Sequence, residues 1–206
     1  IRDVLNGENG IDINKLLELF ASKDITALGH IKMVARLADV MSLGMEMSEE
    51  TESLTSDEKS DFRSIAFIHD IGKLVTPDQL LKNRDKFVDY EYSRMKEHVL
   101  LNYELAEAEK TQELLSLALK HHYTFNGANG YLEQKESEVG EKIPLMARMM
   151  AVIDSFDAIT DTSRIYQNNK LGESVIEKAI NIMYTNSGTQ FDPRIAHAFL
   201  LGFYAN

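Results

Sequence analysis

Ser56-Asp57-Glu58-Lys59-Ser60-Asp61-Phe62-Arg63-Ser64-Ile65-Ala66-Phe67-Ile68-His69-Asp70-Ile71-Gly72-Lys73 is the stretch on which the fold turns. Phe62, Ile65, Ala66 and Ile68 recur at steps of three and four, the spacing of one helix face. Ser56, Asp57 and Glu58 put a hydroxyl and two acids where a helix starts. The spacing predicts a helix that buries its apolar face and delivers His69, Asp70 and Lys73 at its far end.

Outward from this helix the same periodicity repeats. Asp12 opens a short helix carrying Leu16, Leu17, Leu19 and Phe20, and Asp24 caps a longer one with Ile25, Leu28, Ile31, Val34, Ala38 and Met41, ending near Gly44. His30 falls on or beside that apolar face. Further helices are expected around 78–83, 91–108, 111–122, 144–160, 173–186 and 192–204, the last opened by Asp192 with Pro193 at its first position. Three prolines and few alternating apolar-polar runs leave no strand to predict, so the fold class is all-α. Residues 1–24 read as an N-terminal helix and linker from an upstream region, and 25–206 as one domain. The chain starts at Ile1 without an initiator Met, which suggests a regulatory segment further upstream. Residues 123–143 form the longest stretch without helical periodicity, and loops of that length are often functional. The acidic segment 47–59 reads as a solvated loop.

Composition narrows the partners. With 206 residues, 44% of them hydrophobic, one substantial core is affordable. The net charge of -11 repels DNA and acidic membrane surfaces, so neither is expected as a partner, and any phosphate must be met by local positive charge. Bound divalent cations would supply it. The chain has no cysteine, which leaves imidazole, carboxylate and water as metal ligands and fits a reducing, cytoplasmic setting. No apolar run approaches the roughly eighteen residues of a membrane helix, and no signal peptide opens the chain.

Five of the six histidines look organised. His69 and Asp70 place an imidazole and a carboxylate side by side, and the carboxylate can bridge two metals. Lys73, four residues after His69, lies on the same helical face, as an electrostatic stabiliser of a phosphate oxygen. His121 and His122 point about 100° apart on a helix, so both can serve one cluster only where the helix ends. Asp154 lies in the apolar run Ala151-Val152-Ile153-Asp154-Ser155-Phe156-Asp157 and needs a cation or strong hydrogen bonds. His30 and His98 taken singly would read as structural imidazoles, and His197 stays in that class.

His69-Asp70-Ile71-Gly72-Lys73, followed by Thr76-Pro77-Asp78-Gln79-Leu80-Leu81, resembles the metal-binding core of the HD-GYP domains, which belong to the HD superfamily of metal-dependent phosphohydrolases. The likeness continues through His30, His98, His121-His122, Ile143-Pro144-Leu145, Asp154 to Thr160 and Phe191-Asp192-Pro193, covering roughly residues 26–200. It implies an HD-domain helical bundle around a binuclear metal site. His30, His69, Asp70 and Asp154 would hold one ion, and Asp70, His98, His121 and His122 the other. Asp70 and Lys73 would serve the chemistry, with Lys73, Tyr131 and Arg164 on the substrate. Thr26 stands where some members carry a glutamate tied to a third metal, so two divalent ions are expected, iron ahead of manganese.

The segment that names the family departs from its pattern. Tyr123 stands in place of a glutamate, the run Phe125-Asn126-Gly127-Ala128-Asn129-Gly130-Tyr131 carries an apparent one-residue insertion, and Leu132 replaces a proline. After Asp161, Ile165 replaces a proline and Gln167 a basic residue. The resemblance implies a phosphodiesterase that cleaves cyclic di-GMP to pGpG or GMP in bacterial second-messenger signalling. Two alternatives stand beside it: a catalytically degenerate module that binds a nucleotide or protein partner, and a hydrolase of a different nucleotide. Signalling-protein partners and a homodimer are left open.

Overall fold

The computed structural model describes residues 1–7, 10–81, 88–101, 106–128, 130–161 and 174–206, and Arg164 lies outside them. Among the described residues the chain is all-α. Its helices are α1 (Arg2–Leu5), α2 (Ile13–Lys23), α3 (Ile25–Met47), α4 (Ser56–Ile68), α5 (Asp78–Leu81), α6 (Asp89–Lys96), α7 (His98–Leu101), α8 (Glu109–Leu119), α9 (Leu145–Thr160), α10 (Val175–Thr185) and α11 (Pro193–Ala205). No helix is long and apolar enough to cross a membrane among these residues.

The caps explain where the helices start. Asp12, Asp24 and Asp192 accept from the backbone N–H groups of Lys15, Thr26 and Arg194, as their sequence positions predict. The helix that delivers His69 starts at Ser56 as expected, with Thr55 as its cap. The Thr55 hydroxyl takes the Glu58 N–H while the Glu58 carboxylate takes the Thr55 N–H at 2.8 Å, a reciprocal pair that satisfies two orphan donors.

Helix α3 is the hub, packed against α2, α4, α9 and α11. Leu28, Ile31, Val34, Leu37, Ala38 and Met41 are buried along it, more than one stripe, as a helix surrounded by others requires. Helix α9 is similar: Ala147, Met149, Met150, Val152, Ile153 and Phe156 are buried around most of its circumference. Residues 1–24 contribute Val4, Leu5, Leu16 and Phe20 to the same core cluster.

Three expected helices are shorter or broken. The run over 111–122 is α-helical for 109–119 and then tightens into a 3₁₀ turn over Lys120–His122. The run over 91–108 is split at Glu97 into α6 and α7. Helix α4 ends at Ile68, and a 3₁₀ turn over Ile71–Val75 follows, so Lys73 does not share an α-helical face with His69. The cause is Asp70 (φ -105°, ψ 13°), whose backbone leaves the helical region. The Lys73 ammonium instead pairs with the Asp70 carboxylate.

The 123–143 segment is irregular but well anchored. The N–H groups of Phe125 and Asn126 donate to the carbonyls of Gln190 and Thr189 at 3.0 and 2.9 Å, tying the loop to the α10–α11 turn. The Gln134 side chain bonds the Thr124 N–H and the Glu138 carbonyl from within. Gly127 is required here: its φ is +76°, and a Cβ would come within 2.6 Å of Val139.

Helices α3 and α11 cross backbone to backbone. A Cβ on Gly44 would lie 1.9 Å from the Ala198 carbonyl oxygen, and one on Gly202 would lie 2.2 Å from that of Val40. Gly44→Ala and Gly202→Ala should each destabilise the chain by about 2–3 kcal/mol through forced separation of the helices. Chemical denaturation of both single variants and the double variant checks this. Because both act on one crossing, the double variant should lose less than the sum.

Candidate metal centre

Seven side chains distant in sequence converge at one buried place. His30 comes from α3, His69 and Asp70 from the end of α4, His98 from the start of α7, His121 and His122 from the 3₁₀ turn after α8, and Asp154 from the middle of α9. Three groups have ligand atoms all within 4.8 Å of one another: His30, His69 and Asp154; His98, His121 and His122; and His69, Asp70 and His121 between them.

The imidazoles are oriented by their far nitrogens. Nδ1 of His69, His98 and His121 each faces the carbonyl three residues earlier, those of Ala66, Met95 and Ala118, at 2.9, 2.6 and 2.5 Å. Nδ1 of His30 meets Asp157 Oδ2 at 2.6 Å. A carbonyl or carboxylate can only accept, so Nδ1 carries the proton in all four rings and Nε2 is left to face inward. This is how proteins fix metal-binding imidazoles. Asp157 has no role in the sequence reading. Its position three residues after Asp154 on an apolar helix was the available signal.

The inward atoms crowd together. His30 Nε2 lies 3.2 Å from His69 Nε2, 3.2 Å from Asp154 Oδ1 and 3.3 Å from Asp70 Oδ2. His98 Nε2 lies 3.2 Å from Asp70 Oδ1 without the alignment of a hydrogen bond. Among the described residues, Asp70 Oδ1, His98 Nε2 and His121 Nε2 are buried side-chain atoms with no hydrogen-bond partner. Buried polar atoms left so cost free energy of about 1–3 kcal/mol each. A group that accepts several lone pairs at once, a divalent cation, satisfies them together. The donor set of imidazole nitrogen and carboxylate oxygen fits such an ion.

The electrostatics agree. Burial would push the His30 imidazole down, but the hydrogen bonds it donates to the carboxylates of Asp154, Asp157 and Asp70 outweigh it and raise its pKa to about 10. Burial works against the carboxylates of Asp70 and Asp154. Lys73, His69 and His30 hold the first well below the usual range, and His30, His69 and His121 do the same for the second. Burial, with His69 nearby, pushes His121 down to about 3, and His122 is lowered by burial and by His121. His121 and His122 are thus neutral, the form a metal needs.

The rim completes the site. Tyr131 stacks on His122, with ring centroids 3.7 Å apart. Tyr92 meets Tyr131 edge-on, and the Lys96 ammonium sits 4.3 Å from the Tyr92 ring and 5.3 Å from that of Tyr131. Lys96 and Tyr92 were not singled out by sequence, because nothing along the chain marks them as neighbours of residue 131. His197 lies apart, exposed, 3.4 Å from Glu50.

In the metal-free protein His30 carries a second proton at neutral pH, on the nitrogen that would bind metal. Metal loading should therefore release about one proton per chain, and apparent affinity should rise about tenfold per pH unit up to the pKa near 10. Calorimetry in two buffers of different ionisation enthalpy measures the release. Asp157→Ala should weaken metal binding by about 10–100-fold.

A family model described as HD domain matches residues 23–195. A cyclic di-GMP phosphodiesterase response regulator of Xanthomonas campestris is 34% identical over 152 residues, which cover 72% of this chain and 38% of that protein. A cyclic di-GMP phosphodiesterase of Vibrio cholerae is 37% identical over 141 residues, 65% of this chain and 27% of the relative. A 3′3′-cGAMP-specific phosphodiesterase of the same organism is 27% identical over 150 residues, again spanning 71% of the chain and 27% of the relative. The chain thus spans well under half the length of these curated relatives.

Proposed function

The chain belongs to the HD domain family and, within it, to the HD-GYP group, and from that premise we propose that it is a metal-dependent phosphodiesterase acting on cyclic di-GMP. The observation that carries the reading is the set of buried, unpartnered lone pairs on Asp70, His98 and His121, ringed by imidazoles whose Nδ1 atoms are already spoken for. Two ions fit the two triads, with Asp70 offering one oxygen to each side. Iron is favoured over manganese by the nitrogen-rich donor set.

Ions held there would activate a water and offset charge on the phosphodiester oxygens. The chain supplies the rest. His30, His69 and Asp154 would hold an ion on one side and His98, His121 and His122 one on the other, from positions the helices already fix. Lys73 pairs with Asp70 Oδ2, where a cation's charge belongs. With that carboxylate engaged by an ion, the Lys73 ammonium would be available to a phosphate oxygen. Tyr131 walls the site beside His122, and Arg164 is assigned to the substrate by the family pattern. The product is linear pGpG, or GMP after a second cut.

A second substrate assignment, 3′3′-cGAMP, is favoured by the cGAMP-specific relative and by the altered 123–132 segment, where Tyr123 replaces a glutamate and bonds Glu138 at 3.5 Å. Elemental analysis and product chromatography on one anaerobically purified sample test the reading. Asp70→Ala should release metal and abolish turnover. Lys73→Ala should keep metal and lose rate by about 10²-fold or more. Full metal with cyclic di-GMP untouched would replace the hydrolase by a binding module, and full metal retained by Asp70→Ala would sink the bridging role.

A further inference from the structure

A cavity of about 300 Å³ opens directly beside His121 and His122, between the 123–128 segment, α9 and the α10–α11 turn. Its size is at the small end of ligand pockets. Among the described residues, no Lys, Arg, Asp or Glu lines it. Among these described side chains a phosphate meets no lysine or arginine, whereas the adjoining candidate metal centre carries the charge chemistry. The lining offers neutral hydroxyls and amides, with Tyr131 giving a flat aromatic wall. That combination suits an uncharged, flat, hydrogen-bonding group: aromatic rings stack on bases, and amides and hydroxyls read their edges.

Two residues stand out. Ser155 follows the candidate ligand Asp154 on α9, so anything it binds is one residue from the metal centre. Gln190, on the α10–α11 turn, donates its Nε2 to Ser155 Oγ at 3.3 Å. That bond leaves the Gln190 carbonyl oxygen as an acceptor and the Ser155 hydroxyl hydrogen as a donor, side by side on the cavity. A base presents the complementary pair, a ring or amino N–H next to a carbonyl or ring nitrogen. The turn that carries Gln190 is braced by the backbone bonds from Phe125 and Asn126, so the pair is held on a rigid wall.

We propose that this cavity is the base subsite of the phosphodiesterase, with Gln190 and Ser155 reading the hydrogen-bonding edge of one base of the cyclic dinucleotide. The proposal rests on the phosphodiesterase reading and names two specificity-determining residues for it. They act on binding and discrimination, while the metal ligands act on the bond broken.

The test is a steady-state comparison of the metal-loaded chain and its Gln190→Ala and Ser155→Ala variants on cyclic di-GMP, 3′3′-cGAMP and cyclic di-AMP, with metal content measured on each sample. The expected result is a KM raised about tenfold in either variant with kcat within about threefold, and a ratio of kcat/KM between the three substrates compressed by about fivefold or more. Gln190→Asn, which keeps the amide, should recover part of the discrimination. Equal losses on all three substrates, or none, overturn the subsite, because a merely structural role would not change which base is preferred. Equilibrium binding of the same nucleotides separates the two readings. Wild type that binds without turnover, with binding weakened about tenfold by Gln190→Ala, keeps the subsite and removes the hydrolase. Wild type that neither binds nor cleaves removes both.

Discussion

Four imidazoles with their Nδ1 atoms turned outward to fixed acceptors, and their Nε2 atoms turned inward on one another, set the terms for the rest of this structure. Positive charge lets these inward atoms sit about 3 Å apart: the second proton on His30 supplies it in the metal-free protein, and a bound metal ion would supply it in place of that proton. The protein spends its helix packing on holding that arrangement. In three of the four cases the acceptor is the carbonyl three residues earlier, so the ring's orientation comes from the residue's place at or near a helix end.

This explains the apparent irregularities of the fold. Helix α4 stops just before His69, α6 and α7 break just ahead of His98, and α8 tightens to a 3₁₀ turn at His121 and His122. Each break puts a candidate ligand where local carbonyls are available and neighbouring side chains can diverge from one helical face. Only His30 and Asp154 project from helix interiors. His30 has Asp157 as its acceptor instead, reached across from α9. The breaks thus serve the centre, and the uninterrupted helices α3 and α9 give it a rigid floor.

Charge is organised in the same way. In a chain of net charge -11, the negative groups at the centre, Asp70 and Asp154, are balanced inward by imidazoles and Lys73. Among the described residues the neighbouring cavity is lined without a carboxylate, ammonium or guanidinium, so the charged side chains gather at the candidate metal centre and the neutral ones beside it.

The caps Asp12, Asp24 and Asp192 and the helical spacing of apolar residues were legible along the chain, because these act over three or four residues. The likeness to the HD-GYP pattern named His30, His69, Asp70, His98, His121, His122 and Asp154, and the fold brings these side chains together, although His30 and His98 taken singly carry no signal of it. Lys73 was placed on the wrong face, since the local turn at Asp70 depends on what that carboxylate binds and not on helical periodicity. Asp157, Tyr92, Lys96 and Gln190 were invisible for a different reason. Their roles exist only where α3 meets α9, where α6 approaches the 123–131 loop, and where the α10–α11 turn meets α9, contacts between segments far apart in sequence. Sequence by itself determined the elements and the chemistry available to them, whereas tertiary structure alone decided which ring nitrogen faces inward and what neighbours the metal centre, because those depend on distances that no local pattern encodes.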